Sequence, residues 1–123
     1  MSTIKVDTIQ HTSGGAVILT KQEAAKSWVR YNQTGTPAIT DSFNTASITD
    51  RATGHAGFSF TNAMGNANYT CTFGDGEGSS TSGLRFLIDA GSATSAQELY
   101  ARNVSNSAQD VDAASVVIHG DLA

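Results

Sequence analysis

Apolar and polar positions alternate with a period of two along most of this chain, in short runs broken by turn-forming residues. SWVRYN (27–32) sets Trp28, Arg30 and Asn32 against Val29 and Tyr31. AITDSFN (38–44) and SITD (47–50) read as two further strands, and AGFSF (56–60) puts Phe58 and Phe60 on one face. NYTCTF (68–73), GLRFLID (83–89), QELYARNV (97–104) and ASVVIHG (114–120) complete a set of eight strand candidates. DRATG (50–54) reads as a hairpin loop in which Gly54 is the residue that needs a positive φ. Short strands at this spacing, with no helical period after Lys26, predict a mainly β head over 27–123, an antiparallel β-sandwich or barrel. The period-two faces predict a core of Trp28, Phe43, Ile48, Phe58, Phe60, Cys71, Phe73, Phe86 and Ile88.

The first 26 residues follow a different pattern. TIKVDTIQ (3–10) alternates at Ile4 and Val6, then slips so that Ile9 faces the other way; HTSGG marks a turn, and AVIL (16–19) is apolar. Such a hairpin is marginal by itself in water. It is completed either by packing on the head or by identical copies from neighbouring subunits. Two apolar faces without an internal partner favour copies, so Ile4, Val6, Ile9, Val17 and Leu19 are candidate oligomer-interface residues of a homotrimer held by residues 1–26. TKQEAAKSW then carries a capping box between Thr20 and Glu23, which predicts a short connector helix over 21–26.

Composition sharpens this picture. The 123 residues suit one modest domain, and charged residues make up 15%, against roughly 25% in an average soluble domain. Threonine, serine and glycine take their place, which favours pleated strands and tight turns. With 7 Lys and Arg against 11 Asp and Glu, no basic patch predicts a nucleic-acid partner. No apolar run reaches the ~18 residues of a membrane span, and no signal-peptide core opens the chain, so neither membrane insertion nor a cleaved leader is expected. The single cysteine, Cys71, allows no intrachain disulfide. It shares a strand face with Tyr69 and Phe73 and is expected to be a buried, inert thiol.

Three stretches resemble the C-terminal head domains of bacteriophage tail-fibre proteins of the marine and cyanobacterial phage type. STIKVDTIQ…SGG is similar to the segment preceding these heads. KSWVRYNQTGTPAITDSFNTASITDRATG resembles the family's K-A-W-V-N-F-N-G-T-G-T, D-S-F-N and S-I-T-D-N-G-T-G pieces. FSFTNAM and the closing VVIHGDLA resemble its N-F-x-x-x-M and final G-D. Arg30 departs from a frequent Asn, and His55–Gly57 replaces a more strongly β-forming run. The resemblance implies a virion protein assembled in the host cytoplasm, a tail-fibre or spike subunit that attaches to the host surface. Its partners would be other tail or capsid proteins and a host surface glycan. The alternative is a head-fibre, decoration or connector protein with a purely structural role.

No catalytic constellation assembles, so no enzyme, cofactor or metal is expected. G-x-S-x-G, the P-loop and H-E-x-x-H are missing, and His11, His55 and His119 stand in unlike contexts. Asp41 and Asp50 could form a glycan-cleaving carboxylate pair, but each reads better as a turn residue. GDGEG (74–78) lacks the spacing of a calcium loop. The glycine- and hydroxyl-rich stretch GDGEGSSTSG (74–83) is the candidate receptor loop. Asp75, Glu77, Ser79, Ser80 and Thr81 are its hydrogen-bonding groups, and Tyr100 is a stacking face.

Overall fold

The computed structural model describes residue 13 and residues 25–75, 85–88 and 92–121; of 75 and 85–88 it describes the backbone alone. The described chain forms eight strands: β1 (Ser27–Asn32), β2 (Ala38–Phe43), β3 (Thr45–Ala52), β4 (His55–Phe60), β5 (Thr70–Asp75), β6 (Arg85–Ile88), β7 (Ala96–Arg102) and β8 (Ala114–His119). Each coincides with one of the runs in which the sequence alternates. They make two four-stranded sheets, β2-β1-β8-β5 and β3-β4-β7-β6, in which every neighbouring pair is antiparallel. The expected N-terminal hairpin lies outside the described residues, as does the connector helix up to its last two positions. There Lys26 donates its N–H to the Ile118 carbonyl at 2.8 Å, a sheet contact.

One apolar cluster lies between the sheets. In the first sheet Val29 and Phe73 flank Val116, while Ile39 and Ala114 flank Tyr31. In the second, Phe58, Phe60, Leu99 and Ala101 are buried, and Met64 joins them from the segment after β4. The sheets meet where the Tyr31 and Phe58 rings pack edge to face with centroids 4.8 Å apart. Large apolar side chains of this kind contribute about 1.5–3 kcal/mol each when fully buried. Ile48, Cys71 and Phe73 pack against the cluster as half-buried members.

Two expected core residues point the other way. Trp28 is half-buried and Phe43 is 52% exposed; as register partners they share the outer face of the first sheet. In β1 the inward row is Ser27, Val29 and Tyr31. It carries no charge, whereas the Trp28 row carries Arg30. Burying an unpaired guanidinium costs far more than a tryptophan face returns, so Arg30 sets the parity. Phe43 follows through a β-bulge. Asp41 pairs with Arg30 and Ile39 with Tyr31, which leaves Thr40 as the extra residue. That extra residue lets Ile39 face in while Asp41 and Phe43 face out.

Two turns fix the ends of the strands. Asn44 sits at φ 55° between β2 and β3. Its amide donates to the Lys26 and Asn62 carbonyls at 3.0 and 3.1 Å and accepts the Asn62 N–H at 2.7 Å, so three segments share one side chain. Gly54, expected to need a positive φ, has φ 66° and is buried. Its N–H donates to Asp110 Oδ1 at 2.6 Å and its carbonyl accepts from the Ala101 N–H at 2.7 Å.

Candidate functional site

Of the residues singled out for recognition, Glu77, Ser79, Ser80 and Thr81 lie outside the described residues, as do Ile4, Val6, Ile9, Val17 and Leu19. Asp75 ends β5 in the first sheet, opposite Ala114. Tyr100 lies in β7 of the second sheet, half-buried, among residues that the sequence pattern alone did not connect to it.

The parity of β7 buries Gln97, Leu99 and Ala101, so Glu98, Tyr100 and Arg102 occupy the outer face. Register places Gly57 opposite Glu98 and His55 opposite Tyr100. The Arg51–Glu98 pair is 2.7 Å long and the His55 Nε2–Glu98 Oε2 contact 3.1 Å, so one carboxylate holds two side chains from the neighbouring hairpin. A carboxylate only accepts, so His55 donates to it from Nε2. The imidazole stacks on Tyr100 with centroids 4.1 Å apart and an interplanar angle of 29°. On the same ring, the Arg102 guanidinium carbon lies 5.8 Å from the centroid, and Arg102 Nη1 donates to the Asn106 carbonyl at 2.9 Å.

Arg51 reaches this cluster because of a second bulge. Asp50 pairs with Ala56 and Ala52 with His55, so Arg51 is the extra residue of β3. The absence of a side chain at Gly57 clears its path: a Cβ there would stand 3.2 Å from Arg51 Nε. Arg51 remains half-exposed, while the Glu98 and His55 side chains are 21% and 14% exposed. Together these groups form a wall of cation, ring and carboxylate on the outer face of the second sheet. Such a wall can accept and donate hydrogen bonds and attract an anion; it holds no aligned nucleophile and base.

Other candidates are kept apart by the fold. Asp41 lies in β2 and Asp50 in β3, which belong to different sheets; the Asp41 carboxylate accepts the adjacent Ser42 N–H at 2.8 Å. His119 is in β8, opposite Thr70, remote in topology from His55 in β4. Among the described residues no group of three or more His, Cys, Asp or Glu side chains converges as a metal site. None of their helices is long and apolar enough to cross a membrane. Cys71 is half-buried, and burial pushes its thiol up to about 11, so it is protonated at neutral pH.

Arg51, His55, Glu98 and Arg102 escaped the reading of the sequence. The outward row Glu98, Tyr100, Arg102 is visible in QELYARNV as alternation; its junction with β4 and the bulged β3 is not. No family model, curated protein or solved structure matches the chain.

Proposed function

We propose that this chain is a non-enzymatic virion protein, a subunit of a phage tail fibre or spike. In this reading a β-sandwich head over residues 27–123 is carried on a trimerising segment, residues 1–26, and contacts the host surface. The observation that carries the reading is the pair of four-stranded antiparallel sheets, in which β1 to β4 and most of β8 come from the stretches that resemble tail-fibre heads while β5, β6 and β7 lie outside them. The resemblance supplies the virion context.

The test is location and stoichiometry. Gold-labelled antibody against the purified protein should decorate tail tips of phage particles, and light scattering of the full chain should give three times the mass of one subunit. Label confined to the capsid would assign the protein to the head-fibre or decoration class. Particles free of the protein would refute a virion role.

A further inference from the structure

The outer face of the first sheet gathers large side chains that the core leaves out. Trp28 of β1 and Phe43 of β2 are register partners there, and on the other side of Trp28 the same row continues through Val117 of β8 to Thr72 of β5. Phe43 is 52% exposed, while Trp28 and Val117 are half-buried. Two residues along each strand, Arg30 stands opposite Asp41, and both are exposed. No salt bridge joins that pair among the described residues; the Asp41 carboxylate accepts the N–H of the adjacent Ser42 at 2.8 Å. An apolar row left on the surface beside two uncommitted opposite charges has the composition of a contact site.

We propose that this face packs against the same face of a second copy of the chain, about a two-fold axis that runs parallel to the strands between β1 and β2. Such an axis lays β1 of each copy over β2 of the other and keeps the rows in step. Trp28 then meets Phe43 of the partner subunit, Arg30 meets Asp41 of the partner subunit, and the symmetry makes each contact twice. The face is self-complementary: ring stands against ring and cation against anion, with every partner supplied by the chain itself. Facing sheets stack about 10 Å apart, which two opposed side chains of this length can span. Two six-residue strands cover less than the roughly 800 Å² per partner of a tight complex, so the association is weak and depends on concentration. The inference adds a contact between heads to the host-attachment reading and does not rest on it.

Sedimentation equilibrium of the full chain from about 10 µM to about 1 mM covers the range of a weak contact. The mass should double across that range, whether the dilute species holds one subunit or three, so the result is separate from the threefold stoichiometry tested above. Phe43→Ser should move the doubling to roughly tenfold higher concentration and leave the thermal midpoint unchanged, because the ring it removes is exposed in the single copy. Arg30→Asp and Asp41→Arg, which set like charges against each other across the axis, should each weaken association by a similar factor. The variant carrying both Arg30→Asp and Asp41→Arg exchanges the two charges and should restore the native concentration dependence. A constant mass over the whole range, a doubling that the single variants leave untouched, or a double variant as defective as the single ones would overturn the proposal. So would a lowered thermal midpoint of Phe43→Ser at constant mass, which would give this face to another part of the same chain.

Discussion

Tyr31→Phe removes one oxygen atom from the centre of the core and keeps the ring. Tyr31 is 0% exposed and its hydroxyl has no hydrogen-bond partner among the described residues. The ring packs edge to face on Phe58, an arrangement that phenylalanine preserves. A buried, unsatisfied polar group costs about 1–3 kcal/mol in desolvation. Its removal leaves a void the size of a hydroxyl, which costs a few tenths of a kcal/mol at about 24 cal/mol per Å³. The variant should therefore be more stable by about 1–2 kcal/mol, a rise of roughly 4–8 °C in Tm for a domain of this size. Scanning calorimetry and urea titration both measure it. A loss of about 1 kcal/mol or more would refute the reasoning, because it would mean that the hydroxyl holds a partner worth keeping.

The same substitution has a signature in alkali. Burial raises the Tyr31 phenol well above its ordinary 10.0. The unfolded chain then releases this proton at a lower pH than the folded chain, so stability falls as pH rises above about 10. Cys71 acts with the same sign from about 9 upward, since burial lifts its thiol to about 11. Tyr31→Phe should make the alkaline limb shallower above pH 10, where Cys71 and the raised Tyr69 still contribute, and leave the part between 9 and 10 unchanged.

Three further outcomes are expected. Gly54→Ala should cost at least about 2 kcal/mol, because it adds φ strain to a clash with backbone that cannot swing away; its Cβ would lie 2.5 Å from the Ala101 carbonyl oxygen and 2.6 Å from the Gln109 nitrogen. A midpoint shift in urea within error of zero would show that this turn relaxes freely. Phe60→Ala should cost about 3–5 kcal/mol, since Phe60 is 8% exposed and packs edge to face on Tyr69 at 5.8 Å; a change below about 1 kcal/mol would contradict its place in the core. Alkylation of Cys71 should be slow at pH 7 and accelerate toward pH 11; a rate already at its plateau at pH 8 would show a thiol less shielded than the fold makes it.

The strands were legible because each alternates within itself. AGFSF and ASVVIHG could be read from one segment alone, and Gly54 was recognisable because its loop needs a backbone that side chains resist. The faces were less legible, because parity depends on what lies opposite. Phe43 points outward through an extra residue in β2, and a bulge is a property of two paired strands. Gln33 and Gln97 are polar, yet both are buried. Gln97 becomes affordable inside only because its Oε1 accepts from the Ser92 hydroxyl at 2.9 Å and its Nε2 donates to the Glu98 carbonyl. Those partners come from sequence neighbours whose approach the period-two pattern does not encode.

The cluster around Glu98 shows the same division at the level of function. Alternation in β7 was enough to put Glu98, Tyr100 and Arg102 on one face. Two further conditions turn that row into a surface with a definite chemistry. Register must bring His55 beside Tyr100, and a bulge must swing Arg51 across Gly57 onto Glu98. Once Arg51 and His55 have claimed the carboxylate, Arg102 turns to the Asn106 carbonyl and the Tyr100 ring. Read along the chain, these residues are an ordinary scatter of charge in which each arginine has an acid within a few positions. Folded, strand pairing rather than chain order decides which of them meet.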